Sequence, residues 1–220
     1  MRLREVVILV VLLLAAFFFW DTVALYPVRA FVVLLHELGH TAAALLTGGK
    51  VERIELSADL GGVCWSRGGW RLIVLPAGYL GSMLFGGAIL VAAARTRNDR
   101  LLAALVGLTV LALTIVLVRT LFGIGFGLVF GVALLCCAYW LPQAANDVLL
   151  RFLGLASVLY AVIDIKEDLV SRTVPGSDAY AMSRELFLPP VFWGLLWMAL
   201  AVVAAGAFLY LASQGKAKSR

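Results

Sequence analysis

Long apolar runs separated by short polar gaps dominate the chain, and their lengths predict its architecture. A membrane-spanning helix needs about 20 mostly apolar residues and must satisfy its own backbone hydrogen bonds in lipid, so such runs read as spans. Seven are predicted: Val6 to Leu25, Val28 to Thr47, Leu72 to Ala94, Leu101 to Val118, Phe122 to Leu141, Phe152 to Asp168 and Leu188 to Ala212. Arg119 and its neighbours make the break between the fourth and fifth. Between the second and third lies the polar segment KVERIELSADLGGVCWSRGGW, which follows a Gly48-Gly49 stop. Its short alternating stretches around Asp59 to Gly62 predict a β-hairpin. A second polar stretch, Lys166 to Glu185, carries the turn signal Pro175-Gly176-Ser177-Asp178. The expected fold is an all-α multi-pass membrane protein with about seven transmembrane helices, a short β-hairpin between the second and third, and a single transmembrane domain over residues 1–220.

Composition sharpens this picture. With 63% hydrophobic and 14% charged residues the chain is not a soluble protein. Its net charge of +5 sits mostly in the gaps between apolar runs, as membrane-flanking anchors do, so the expected partner is the bilayer and not nucleic acid. Arg2 and Arg4 precede the first run, which is too long for a secretory leader and is read as a retained span with a cytoplasmic amino terminus, in the plasma membrane. Cys64, Cys136 and Cys137 make no metal or disulfide pattern and read as packing residues. Gly78, Ser82 and Gly86, and likewise Gly123, Gly127 and Gly131, recur at every fourth position and predict smooth strips for helix packing.

Within the second span the stretch LLHELGHTA places two histidines and a glutamate in an apolar run. His36 and His40 are four residues apart, so on a helix they share a face about one turn from each other and can hold one metal ion. Glu37 projects about 100° round from His36, close enough to act as a general base on a water beside that ion. Zinc suits such a site because it accepts neutral imidazole nitrogen and leaves a position open for water. Ionisable groups inside a span cost about 2.5–3.5 kcal/mol each on insertion scales, and they are kept where they bind or react.

Two histidines leave a catalytic zinc one protein ligand short, and the chain has no third histidine. The remaining ligand is then a carboxylate or a thiolate. Asp164, flanked by Val162, Ile163 and Ile165 near the end of the sixth span, is the preferred candidate. Asp168, one turn later, is the alternative as ligand or as an orienting group. With seven spans, Asp164 and the histidine pair fall at comparable depths in the membrane. Asp21 beside Trp20 reads as an interfacial residue.

HELGH inside a span, Gly48-Gly49 closing it, the polar hairpin, PAGYLGSMLFGG in the next span and the distal YAVIDIKEDL together resemble the M50 peptidases of site-2 protease type, most closely the M50B-like branch. The resemblance covers Leu34 to about Ala181. It implies zinc held by His36 and His40, Glu37 as base, a third ligand from an aspartate on a later span, and a transmembrane protein or peptide as substrate. The family's LDG or NPDG signature for that aspartate is missing, since Asp164 is followed by Ile165. The expected function is an intramembrane zinc metalloprotease. The alternatives are a metal-binding membrane scaffold without proteolysis, or a transporter using the same polar groups as an ion path. The sequence leaves the oligomeric state open.

Overall fold

The computed structural model describes residues 3–166 and 177–215. It is mostly helical: α1 (Leu3–Phe18), α2 (Tyr26–Leu46), a hairpin of β1 (Lys50–Leu56) and β2 (Gly62–Arg67), then α3 (Arg71–Val74), α4 (Ala77–Arg95), α5 (Asp99–Leu117), α6 (Leu121–Trp140), α7 (Gln143–Lys166), α8 (Asp178–Leu186) and α9 (Pro190–Ser213). Among the described residues, six helices are long and apolar enough to cross a membrane. The apolar pattern predicts seven, and the difference lies at the amino end. The apolar part of α1 ends at Phe18, and a short 3-10 turn, Val23–Leu25, leads into α2. Pro27, in the first turn of α2, explains the restart, because its fixed φ suits a helix start and its missing N–H is not needed there.

Two other spans are divided differently from the expectation. Pro76 interrupts the third apolar run, so that it becomes the short α3 and the spanning α4. The sixth starts at Gln143, earlier than the polar letters Asn146, Asp147 and Arg151 allow on hydropathy. Those residues are buried or nearly so and are satisfied locally. Asn146 Nδ2 donates to the Cys137 carbonyl at 3.0 Å, and Arg151 Nε donates to Asp147 Oδ1, one turn back, at 2.7 Å. Asp168 lies outside the described residues.

Side-chain caps mark the starts of α5, α6 and α8. Asn98 accepts from the Leu101 N–H at the start of α5, Thr120 from Gly123 at α6, and Ser177 from Tyr180 at α8. The link between α5 and α6 does more than turn. Val118 pairs in parallel with Ile54 of β1, Arg119 N–H donates to the Ile54 carbonyl at 3.0 Å, and the Thr120 hydroxyl donates to the Leu56 carbonyl at 2.7 Å. Ile54 and Leu56 are thereby buried with Phe31, Leu34 and Val110 in the main apolar cluster.

Close helix contacts fall at small residues. A Cβ on Gly39 of α2 would overlap the Ala77 carbonyl of α4, and Gly81 lies opposite Gly39. Gly86 meets Gly154 and Ser157 of α7, while Gly127 and Gly131 of α6 meet Thr114, Leu111 and Gly107 of α5. The contacts of Gly39, Gly81, Gly86 and Gly154 pack α4 against α2 and α7, and His36, Glu37 and His40 of α2 face a cavity.

Candidate metal centre

His36 and His40 occupy successive turns of α2, and their Nε2 atoms stand 3.1 Å apart. A third group completes the triangle: Asp178 Oδ2 lies 3.2 Å from each of those nitrogens. Asp178 is the first residue of α8, which Ser177 caps. Ala179 and Met182 on the next turn seat α8 in an apolar cluster with Tyr79, Met83 and Trp197. Among the described residues these three form the group able to share one metal ion. Their spacing fits. Ligand atoms on a tetrahedral ion with bonds of about 2.0–2.1 Å stand about 3.3 Å apart, close to the three edges found here. Two imidazoles and a carboxylate are also a donor set that zinc accepts. A Cβ on Gly78 of α4 would overlap the space beside both Nε2 atoms, so the absence of a side chain there keeps it clear.

The other nitrogens of the two rings are also placed. His40 Nδ1 lies 2.8 Å from the Val74 carbonyl, at the break that Pro76 makes between α3 and α4. His36 Nδ1 lies 4.0 Å from Asp164 Oδ2, and the ring of Tyr79 meets the His36 ring edge-on with centroids 4.8 Å apart. Of the acids singled out in the sequence, Asp164 thus arrives beside His36, but at Nδ1. It is Asp178 that reaches the two Nε2 atoms. The physical reason is the side from which each helix approaches: α7 meets the back of the imidazole, and the start of α8 meets its front. Asp21 is 88% exposed at its side chain and pairs with Arg29 at 3.3 Å, away from the cavity.

In the sequence, Asp178 is legible only as part of a turn. Ser177 followed by a helical register is a start signal, but nothing in the local pattern says that this helix folds back against α4 and α9 to present its first residue to α2.

Glu37 is 3% exposed and sits against the hairpin. The Gly62 Cα of β2 packs so closely that a Cβ there would overlap Glu37 Oε1. The cavity in front of Glu37 and the three donor atoms is about 760 Å³, and Cys64, Trp65, Tyr79 and Tyr160 are among the residues lining it.

Charges outside the spanning segments agree with this layout. Burial pushes the Asp178 carboxyl up, but the adjacent His40 and His36 outweigh that and hold it below the usual carboxylate range. Burial pushes the Cys64 thiol up; the Thr41 hydroxyl opposes this, while Glu37 and Asp178 add to it. A thiol held protonated is a poor metal ligand. Among the described residues Cys64 lines the cavity without joining the three-donor group.

A bundle of membrane-length helices with a His-His-Asp cluster beside a buried glutamate defines a membrane protein with a candidate metal centre. The Peptidase M50B-like family model matches residues 9–208, and the chain belongs to that family. No curated protein and no solved structure matches it.

Proposed function

We propose that this protein is an intramembrane zinc metallopeptidase of site-2 protease type that hydrolyses peptide bonds of transmembrane substrates. The observation that carries the reading is the triangle of His36 Nε2, His40 Nε2 and Asp178 Oδ2, with edges of 3.1–3.2 Å, next to the buried Glu37 in a member of a peptidase family. In this reading His36, His40 and Asp178 are the ligands. Zinc, when bound, supplies a Lewis acid that lowers the pKa of water and polarises a carbonyl.

The chain's own groups do the rest. Glu37 takes a proton from the attacking water as its oxygen bonds to the carbonyl carbon. It then passes that proton to the nitrogen as the C–N bond breaks, so that an acid and an amine leave. Gly62 of β2 packs against the carboxylate and keeps it at the cavity wall while this happens.

A helical substrate hides its amides in its own hydrogen bonds and has to unwind locally before attack. The hairpin offers replacement bonds. The outer edge of β1 is taken by Val118 and Arg119, whereas β2 runs along the cavity from Gly62 to Ser66. An unwound segment added to β2 would lie beside Glu37, with sheet bonds substituting for helical ones. Arg2 and Arg4 ahead of the first apolar run favour a cytoplasmic amino terminus.

The test is the full chain reconstituted in lipid with a labelled transmembrane substrate. Glu37→Gln should lower cleavage by about 10²–10⁴-fold with metal content unchanged. Retained cleavage in that variant would exclude Glu37 as base. A scaffold would keep its partner binding in the variant, and an ion path would change its conductance.

A further inference from the structure

We propose that Asp164 is a positioning residue for His36, its carboxylate facing Nδ1 and holding the imidazole in the orientation and tautomer that leave Nε2 bare. The inference rests on reading His36, His40 and Asp178 as the metal ligands.

The two imidazoles are built alike. Each directs Nε2 to the shared triangle with Asp178 and turns Nδ1 to an oxygen on the opposite side of the ring. For His40 that oxygen is the Val74 carbonyl, which can only accept and therefore fixes the ring proton at Nδ1. For His36 the oxygen is Asp164 Oδ2 at 4.0 Å, a charged neighbour in place of a hydrogen-bonded neutral one. An acceptor behind a ligating imidazole fixes its orientation and raises its basicity, and a carboxylate does the second more strongly than a carbonyl.

The helix that carries Asp164 is itself well seated. Ala161 and Ile165, on either side of it, are buried in the cluster that includes Tyr79 and Met182, so the face of α7 turned to α2 is set by packing. The Asp164 side chain is 20% exposed and that of His36 14%, which leaves their attraction little screened by solvent. A separation of 4.0 Å is longer than a direct hydrogen bond. At that distance the carboxylate acts on the ring through its charge, which favours the ring proton at Nδ1 over Nε2. Direct ligation by Asp164 would instead require its oxygen on the far side of the ring, where Asp178 already stands.

The experiment uses the full-length protein in detergent micelles. Zinc affinity is measured by competition with a chelator, and the Co²⁺-loaded form by visible absorption, for the unaltered chain, Asp164→Asn, Asp164→Glu and Asp178→Ala. The expected result is that Asp178→Ala loses stoichiometric metal, whereas Asp164→Asn still binds one ion with an affinity about 10–100-fold weaker. Its Co²⁺ spectrum should keep the intensity of a four-coordinate site, and Asp164→Glu should recover part of the loss. Unfolding midpoints in excess chelator should be the same for the unaltered chain and Asp164→Asn. Asp164→Asn at full affinity, with Asp178→Ala metal-free, would remove the positioning role and leave the metal assignment standing. Asp164→Asn without metal, with Asp178→Ala still loaded, would make Asp164 a ligand and overturn both. A lowered midpoint that accounts for the weaker binding would assign Asp164 to packing and overturn the proposal.

Discussion

His40 Nδ1 lies 2.8 Å from the Val74 carbonyl, and that single contact ties a break in the backbone to the state of a side chain. Pro76 cannot donate a helical hydrogen bond, so the third apolar run stops at α3 and restarts at α4, with Val74 at the end of the first piece. Pro76→Ala should let the two helices join and draw the Val74 carbonyl away from His40. The expected outcome is a loss of zinc affinity of about tenfold or more, with the His-His-Asp residues all intact, measured by chelator competition. Unchanged affinity would mean that Val74 is not what orients His40.

One glycine borders the metal centre and another borders the base. A side chain at Gly78 would enter the space beside both Nε2 atoms, and one at Gly62 would displace the Glu37 carboxylate. Gly78→Ala should therefore abolish stoichiometric metal and cleavage together. Gly62→Ala should lower cleavage by about 10²-fold or more while metal content holds, because only the proton transfer is misplaced. Metal analysis and cleavage assays on the same preparations distinguish the two outcomes.

Much of this arrangement is legible in the amino-acid sequence. Both histidines and Glu37 lie within two turns of one helix, so helical periodicity alone brings them together. The hairpin and the membrane-length helices follow from composition shifts and glycine stops. Features that depend on contacts between distant segments are not legible in the same way. Asn146, Asp147 and Arg151 read as polar and so conceal the first turns of α7, although Asp147 and Arg151 pair one helical turn apart and Asn146 is satisfied by carbonyls shortly before it in the chain, such as that of Cys137. Asp178 is hidden because its reach to α2 is decided by the packing of Ala179 and Met182.

Protons and metal compete for the same two nitrogens, which sets the pH dependence. The neighbouring imidazoles hold the Asp178 carboxyl below its usual range, so it remains ionised and ready to ligate as the pH falls. A depressed carboxylate stabilises the native arrangement above its ordinary range of about 3.9 and loses that contribution only in stronger acid. Loss of metal on acidification is then governed by His36 and His40, each of which must be unprotonated at Nε2 to ligate. Zinc retention should fall as pH is lowered, steepening toward about a hundredfold per unit as two protons replace one ion. Dialysis at graded pH followed by metal analysis measures the slope. A slope near one decade would show that only one histidine ligates.

At the far end of the hairpin that supports Glu37, the Thr120 hydroxyl adds to the backbone bond from Arg119 to Ile54. Thr120 Oγ1 donates to the Leu56 carbonyl at 2.7 Å, accepts from the Leu56 N–H at 3.1 Å and caps α6 by accepting from Gly123 at 3.3 Å. Thr120→Val keeps the volume but removes all three bonds, leaving backbone groups of a largely buried strand end unpaired. The expected cost is about 1–3 kcal/mol in unfolding free energy, read as a lower midpoint in a thermal or denaturant melt in micelles. Thr120→Ser retains the hydroxyl and should recover most of it. Because β1 is held here and β2 carries the contacts to Glu37, the same valine variant should also reduce cleavage without releasing metal. Full cleavage in a destabilised Thr120→Val protein would show that the base keeps its place without this anchor.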